Sequence, residues 1–364
     1  MIAVEIVFWA SLAALVWTHM LYPLAARGLA RIRTRALRRD DAYLPEVAVI
    51  VAAYNEEAVI ERRVENLLAL DYPRDKLEVV VTSDASSDRT EELAAVAGAR
   101  VIRNSRGGKV AAQDRAVRET TAAIVAFSDA NATWAPDALR MLVRNFADPD
   151  VAYVCGQANL ETDDGRTKEG LYWRYELALR ADESRLGSIT GGNGPIYAVR
   201  REDYVEVDPR FGHDLSFPYL MVQRGRRAVF DAEAHSYEKA TPSTEDEYRR
   251  KVRMFEHCWA IVVEGKMLRR LSPLYLVEVL SHRHLRYLSG VLHLIALATN
   301  VALLGHGTVY AVTLGLQLGL VLAAAVGVGV ARYYVLVTWA TVVALVNYLR
   351  RGVPSTWEVA EGTR

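Results

Sequence analysis

Residues 47–57 read VAVIVAAYNEE. Val47 to Ala52 is a short run of β-branched and small apolar residues, the pattern of a strand buried on both faces of a parallel sheet. It stops at the polar group Ala53-Tyr54-Asn55-Glu56-Glu57. From Glu56 to Leu70 the period changes: Ile60, Val64, Leu67 and Leu68 fall at i, i+4, i+7 and i+8, one apolar stripe of a helix. The alternation then repeats. Leu77 to Thr82 is a predicted strand, Asp88 to Val96 a helix, Arg100 to Ile102 a strand, Val110 to Thr120 a helix and Ile124 to Phe127 a strand. This order implies an α/β domain with a mostly parallel sheet and helices on both faces, whose ligand crevice lies beyond the carboxyl ends of the strands.

Those ends carry the chemistry. After the second strand comes Ser83-Asp84-Ala85-Ser86-Ser87-Asp88, and after the fourth Ser128-Asp129-Ala130-Asn131, so with Ala53 to Glu57 after the first, three acidic clusters face one crevice. Asp88, ahead of Arg89-Thr90-Glu91-Glu92, suits a helix N-cap equally well. Asp129 and Asn131 offer two hard oxygens from one turn, a donor set for Mg²⁺ or Mn²⁺ completed by water and phosphate. Two common nucleotide signatures are absent: there is no Gly-x-Gly-x-x-Gly, and Gly107-Gly108-Lys109 is followed by Val110 rather than Ser or Thr.

With Arg106-Gly107-Gly108-Lys109, Gly192-Asn193-Gly194 and His213-Asp214-Leu215, these pieces resemble the family 2 glycosyltransferases, inverting enzymes with a GT-A nucleotide-sugar fold. The resemblance covers about Val47 to Trp259. It implies that Ala53, Tyr54, Glu56 and Asp84 border the nucleotide, and that Arg106 and Lys109 lie near its phosphates. By the same resemblance Asp129 and Asn131 hold a metal diphosphate, with Asn131 where a second Asp is more frequent, and Gly192, Asn193 and Gly194 line the acceptor side. Asp214 resembles the family's base; the alternative is an N-cap of the helix Leu215 to Gln223. His213 stands where an acidic residue is commoner; a metal ligand and a modulator of Asp214 are two readings of it, and a surface histidine is the one favoured.

Further on, YRRKVRMFEHCW (248–259) has helical spacing, with Val252, Phe255 and Trp259 on one face. Arg250 and Arg253 are three apart, adjacent on the helix surface and able to grip a diphosphate; a solvated basic face is the other reading. Trp259 belongs with the acceptor side by the resemblance. Processive synthases of the family carry Gln-x-x-Arg-Trp here, a pattern this chain lacks. Trp173 and Tyr175 read as helix packing.

The chain has 364 residues, 44 basic and 44 acidic, and no net charge, which disfavours a nucleic-acid binder. Cys155 and Cys258 are too few and too distant in sequence for a disulfide framework. The apolar residues crowd the two ends. Ile6 to Ala26 is uncharged and long enough to cross the roughly 30 Å hydrocarbon layer. Arg27, Arg31, Arg33, Arg35, Arg38 and Arg39 follow it, which by the positive-inside rule places the next domain in the cytoplasm, at the inner membrane, against anionic lipid. Leu271 to Arg286 reads as an interface helix, and Tyr287 to Leu304, Val309 to Val330 and Tyr333 to Leu349 as further spans. The organisation expected is a first span (1–27), a basic linker (28–40), a GT-A domain (41–270), the interface helix (271–286), about three spans (287–350) and a tail (351–364) placed on the cytoplasmic side.

The function expected is metal-dependent, inverting transfer of a hexosyl or N-acetylhexosaminyl group from a nucleotide sugar, UDP-linked, to a hydroxyl of a lipid-linked or growing glycan. Two rivals are a polyprenyl-phosphate glycosyltransferase, whose ionised acceptor needs no base, and an inactive nucleotide-sugar-binding scaffold.

Overall fold

The computed structural model describes residues 1–161, 170–239 and 243–354, so the tail residues 355–364 lie outside the described residues. The chain divides into two compact units: Ala30–Pro242 with Gly265–Leu271, and Met1–Leu29 with Ser243–Glu264 and Ser272–Val353.

The first unit is built on one eight-stranded sheet. Its strands are β1 (Val47–Ala53), β2 (Leu77–Asp84), β3 (Arg100–Asn104), β4 (Ile124–Asp129), β5 (Thr133–Trp134), β6 (Val151–Glu161), β7 (Tyr197–Arg200) and β8 (Arg227–Lys239), in the order β3-β2-β1-β4-β7-β6-β8-β5. The first four pair in parallel, as the buried apolar runs require. β7 then enters antiparallel between β4 and β6, and β6 pairs in parallel with β8. The four parallel strands match their predicted positions, yet three run further toward the crevice than apolar periodicity shows. β2 extends to Asp84 and β4 to Asp129, while β3 reaches Asn104, whose amide bonds Thr82 Oγ1 and the Ser83 carbonyl, both at 2.8 Å. Polar residues thus continue the ladder and end at one edge.

Two cores cover the faces of the sheet. One gathers Val49, Val51, Ile60, Val64, Leu67, Leu139 and Leu142; the other, Ile50, Val80, Val117, Phe127, Tyr153, Tyr197 and Phe217. Alternate residues of β1 serve opposite cores, which is why this strand is apolar throughout.

The second unit contains four helices long and apolar enough to cross a membrane: Ile2–Ile32, Pro273–Ala302, Thr308–Ala325 and Gly329–Arg351. Two contain a π-turn, at Trp17–Leu21 and Leu280–His284. Polar side chains inside it pair with one another, as low-dielectric surroundings demand: His19 Nε2 lies 2.9 Å from Ser289 Oγ, and His293 Nε2 2.8 Å from Tyr334 OH. The helix Thr244–Glu264 belongs to this unit, where Glu256 accepts from Asn347 at 2.6 Å and from Arg351 at 2.9 Å.

Candidate active site

The carboxyl ends of β1, β2 and β4 hold two acid–base pairs. Asp84 accepts from the Arg106 guanidinium at 2.5 Å and from the backbone N–H groups of Gly107 at 2.7 Å and Gly108 at 3.0 Å. The Arg106 guanidinium lies over the Tyr54 ring, 3.4 Å from its centroid, so the ends of β1 and β2 share one cation. Two non-glycine residues with positive φ turn the chain here, Asn55 at 53° and Ala85 at 62°. Asn55 is held by its own side chain, which accepts from Ser87 N at 2.8 Å. Ala85 has no such compensation in its side chain, and local strain of this kind concentrates where geometry serves a ligand. Glu56 is buried at the end of the same turn, its N–H bonding Thr90 Oγ1 at 2.7 Å.

The second pair is Lys109 with Asp129. Both side chains are a quarter exposed, so a ligand in the crevice can reach them. Burial pulls the Lys109 ammonium down, but Asp129, with Asp214 and Glu238 nearby, holds it above the ordinary lysine range. Gly194 lies directly against this pair: a Cβ there would sit 3.5 Å from both Asp129 Oδ2 and Lys109 Nζ. Behind Asp129 stands Arg63, fully buried, donating to Ser128 Oγ at 2.8 Å and lying over the Trp134 ring. Burial lowers its guanidinium to about 9, against the opposing pull of Asp129 and Glu238.

Asp214 sits in the first turn of the helix His213–Gln223. Its carbonyl accepts from Gly192 N at 2.7 Å. Glycine at position 192 makes room for this contact, since a Cβ there would lie 2.0 Å from the Tyr153 hydroxyl and force one of the two to shift. Burial holds Tyr153 and Tyr197 well above the ordinary tyrosine range, and the Asp214 charge adds to this for both. Asn193 turns inward, donating to the Gly156 carbonyl at 2.6 Å and to Cys155 Sγ at 3.1 Å. Arg180 donates to the Gly192 carbonyl at 3.3 Å, fixing the same loop from the other side.

Of the sequence-assigned residues, the sheet unit therefore contains Ala53, Tyr54, Glu56, Asp84, Arg106, Lys109, Asp129, Asn131, Gly192, Asn193, Gly194 and Asp214. Arg250, Arg253 and Trp259 lie on the helix Thr244–Glu264 of the other unit. There Arg250 bonds Glu247 at 3.0 Å, and the buried Trp259 indole donates to the Thr341 carbonyl at 3.0 Å. Trp173 donates to the Ala158 carbonyl at 3.1 Å, as a packing residue does.

One expectation is overturned. His213 is not on the surface: its side chain is 2% exposed, stacked on Phe217 at 4.5 Å and flanked by Asp114, Tyr197 and Tyr204. The reason is that, apart from Phe217 one turn along its own helix, its partners Asp114, Tyr197 and Tyr204 lie outside that helix, where local periodicity does not connect them to it. Sequence reasoning also missed Arg63 and Asp114, although each left a signal. Arg63 falls at i+3 on the stripe Ile60, Val64, Leu67, and Asp114 falls between Val110 and Val117; a charge on an apolar helix face is a buried charge awaiting a partner.

For a divalent cation the chain offers the Asp129 carboxylate and the half-buried Asn131 that follows it. Among the described residues, no three or more His, Cys, Asp or Glu side chains gather in a metal-holding group. Two hard oxygens fit an ion that takes the rest of its shell from phosphate and water.

Residues 48–207 match the family described as glycosyl transferase family 2. A β-monoglucosyldiacylglycerol synthase of Trichormus variabilis is 31% identical over 217 residues, 55% of this chain and 45% of the relative. One of Synechocystis sp. is 39% identical over 165 residues, 42% of this chain and 33% of the relative. The chain thus aligns with less than half the length of these relatives. An N-acetylglucosaminyltransferase of Rhizobium meliloti is 27% identical over 289 residues, 70% of this chain and 67% of the relative. Among solved structures, the mannosyltransferase PcManGT of Pyrobaculum calidifontis, in complex with GDP-Man and Mn²⁺, superposes with a TM-score of 0.78 at 25% identity, over 95% of this chain and 99% of that one. The motifs, the sheet order and these likenesses agree: the chain carries a glycosyl transferase family 2 domain of GT-A fold.

Proposed function

We propose that the protein is a membrane-integrated, metal-dependent, inverting glycosyltransferase that moves a sugar from a nucleoside diphosphate sugar to a hydroxyl of a lipid acceptor. The observation that carries this reading is the loop Gly192-Asn193-Gly194, whose first residue bonds the Asp214 carbonyl at 2.7 Å and whose last lies directly against the Lys109–Asp129 pair. A group able to take a proton and a group able to receive a diphosphate thereby share one crevice. Asp84, Tyr54 and Arg106 supply an edge for the base, and Lys109 supplies a cation to the phosphates. A divalent cation held by Asp129 and Asn131 would neutralise charge on the departing diphosphate. Asp214 takes the acceptor proton as its oxygen attacks from the face opposite the leaving group, which inverts the anomeric centre.

The lipid acceptor is supported by the four apolar helices and by the names of the relatives, glucosyldiacylglycerol synthases among them, so a diacylglycerol-type hydroxyl is the acceptor to try first. The arginines of residues 27–39 support a catalytic domain on the cytoplasmic face. The test is nucleotide release by the full chain in lipid, with a panel of UDP- and GDP-linked sugars, Mn²⁺ and candidate acceptors, comparing wild type with Asp214→Asn. A hydroxyl acceptor predicts a loss of about 10² to 10⁴ in turnover with donor binding retained. Near-normal transfer by the variant removes the base and moves an ionised polyprenyl-phosphate acceptor to first place. No release with any donor favours a binding scaffold.

A further inference from the structure

Beneath Asp214 lies a sealed polar network that the proposed reaction does not itself use. The His213 ring has Tyr197 OH 3.2 Å from Nδ1, and Tyr204 OH 3.4 Å and Asp114 Oδ1 3.6 Å from Nε2. Tyr204 donates its own proton to Asp114 Oδ1 at 2.6 Å. Nε2 therefore faces two acceptors, the Tyr204 oxygen and the Asp114 carboxylate, and carries a hydrogen toward them, while the Tyr197 hydroxyl lies beside Nδ1. Partners on both nitrogens fix one ring orientation. The ring is also clamped by apolar contacts, stacked on Phe217 with the planes 11° apart and edge-on to Phe127 and Tyr204.

Each member comes from a different part of the site. Asp114 is on the helix Lys109–Arg118, whose first residue is the cation paired with Asp129. Tyr197 is on β7, beside β4, which ends in Asp129. His213 immediately precedes Asp214. Above, Gly192 N–H holds the Asp214 carbonyl, so the peptide carrying the acid is pinned from both sides.

We propose that His213 is a positioning residue: through Asp114 and Tyr197 it locks the first turn of the helix His213–Gln223 and so aims the Asp214 carboxylate relative to Lys109 and Asp129. The inference rests on the reading of Asp214 as the base. The imidazole touches no reactant. It acts on the geometry of the proton acceptor, to which proton transfer is steeply sensitive, since displacement by about 1 Å can cost on the order of 100-fold in rate.

The experiment measures turnover at saturating donor and acceptor, and donor affinity by titration with UDP- or GDP-sugar, for the full-length chain in lipid. His213→Ala is expected to lower kcat about 10- to 100-fold while donor Kd and acceptor KM stay within about twofold. His213→Gln, whose amide can replace the Nε2–H donor to Asp114 and Tyr204, should recover most of that loss. In the Asp214→Asn background, His213→Ala should cost less than about twofold further, because two residues acting through one group are non-additive. A fully additive loss, or wild-type kcat in His213→Ala, overturns the inference. If His213→Ala does not fold, Tyr197→Phe removes the hydroxyl beside Nδ1 and must still lower kcat without changing donor Kd; an unchanged kcat there overturns it as well. Impaired Asp214→Asn alongside normal His213→Ala refutes this inference alone, whereas normal Asp214→Asn refutes the base itself.

Discussion

The two halves of the crevice treat charge in opposite ways. At the ends of β2 and β4 the pairs Asp84–Arg106 and Asp129–Lys109 stand at the rim, each cation a quarter or more exposed, with acid and base occupying one another. Below Asp214 the Asp114–Tyr204–His213–Tyr197 network is largely closed off, its His213 and Asp114 side chains less than a tenth exposed and wrapped in aromatic rings. A rim pair can exchange partners when an anion or a cation arrives, because the ligand substitutes for the charge it displaces. A sealed network cannot exchange at all; it can only hold a shape. The comparison assigns binding to the first half and aim to the second, and substitutions in each should fail differently.

The largest effect is expected at the rim. Asp129→Ala removes a proposed ion ligand together with the charge facing Lys109 and Arg63, and should abolish turnover, a loss of several kcal/mol in transition-state stabilisation. Because Arg63 is fully buried, the same change should lower the melting temperature. Asp129→Asn separates the effects by keeping the shape. Chelation of divalent ions from the wild type should reproduce the loss of turnover. Full activity in excess EDTA would sink the metal assignment.

Next comes Asp214→Asn, whose loss of about 10² to 10⁴ belongs to rate and not to donor affinity. That contrast breaks the comparison directly: if donor affinity falls as far as the rate, aim and binding are not divided between the two halves.

Much of the rim was legible and little of the floor was, for a physical reason. A parallel βα unit writes itself locally: strand, polar end and helix follow one another, so Asp84 and Asp129 could be placed at the crevice from order alone, while Arg106 and Lys109 were placed there only through the family resemblance. The floor forms only when β7 inserts antiparallel between β4 and β6 and brings Tyr197 beside Phe127, their rings stacked at 4.8 Å. His213, Asp114 and Tyr204 meet across those elements, and periodicity within any one of them carries no trace of the others. The apolar ends were equally legible as candidate spans, since residue type alone decides them.

A smaller effect should appear at Gly192, where the two halves touch. Gly192→Ala forces a methyl onto the Tyr153 hydroxyl, an overpacking that costs about 1–3 kcal/mol. Tyr153→Phe, by removing that oxygen, should restore part of the lost melting temperature in the double variant. Equal melting temperatures for single and double variants would show that the loop yields elsewhere.

The smallest effect tests whether every acid at the rim is a binding acid. Asp88 lies in the same strand-end cluster as Asp84, but its carboxylate is spent locally, accepting from Thr90 N at 3.0 Å, from Thr90 Oγ1 at 2.5 Å and from Glu57 N at 3.1 Å. Partial burial opposes ionisation, yet these hydrogen bonds outweigh it and hold the carboxyl below the usual aspartate range. A depressed carboxyl favours the fold wherever the unfolded chain binds more protons, so its contribution is fully present above the ordinary aspartate pKa of about 3.9. It fades as pH falls through the lower folded value. Asp88→Ala should therefore cost about 1 kcal/mol or less at pH 7, in line with other lost caps, and leave donor affinity and turnover unchanged. The melting-temperature gap between wild type and variant should narrow as the pH is lowered from 7 to 3. A gap that stays constant over that range would show that the Asp88 charge does not support the turn; a loss of donor affinity would move Asp88 from the scaffold of the rim to its binding set.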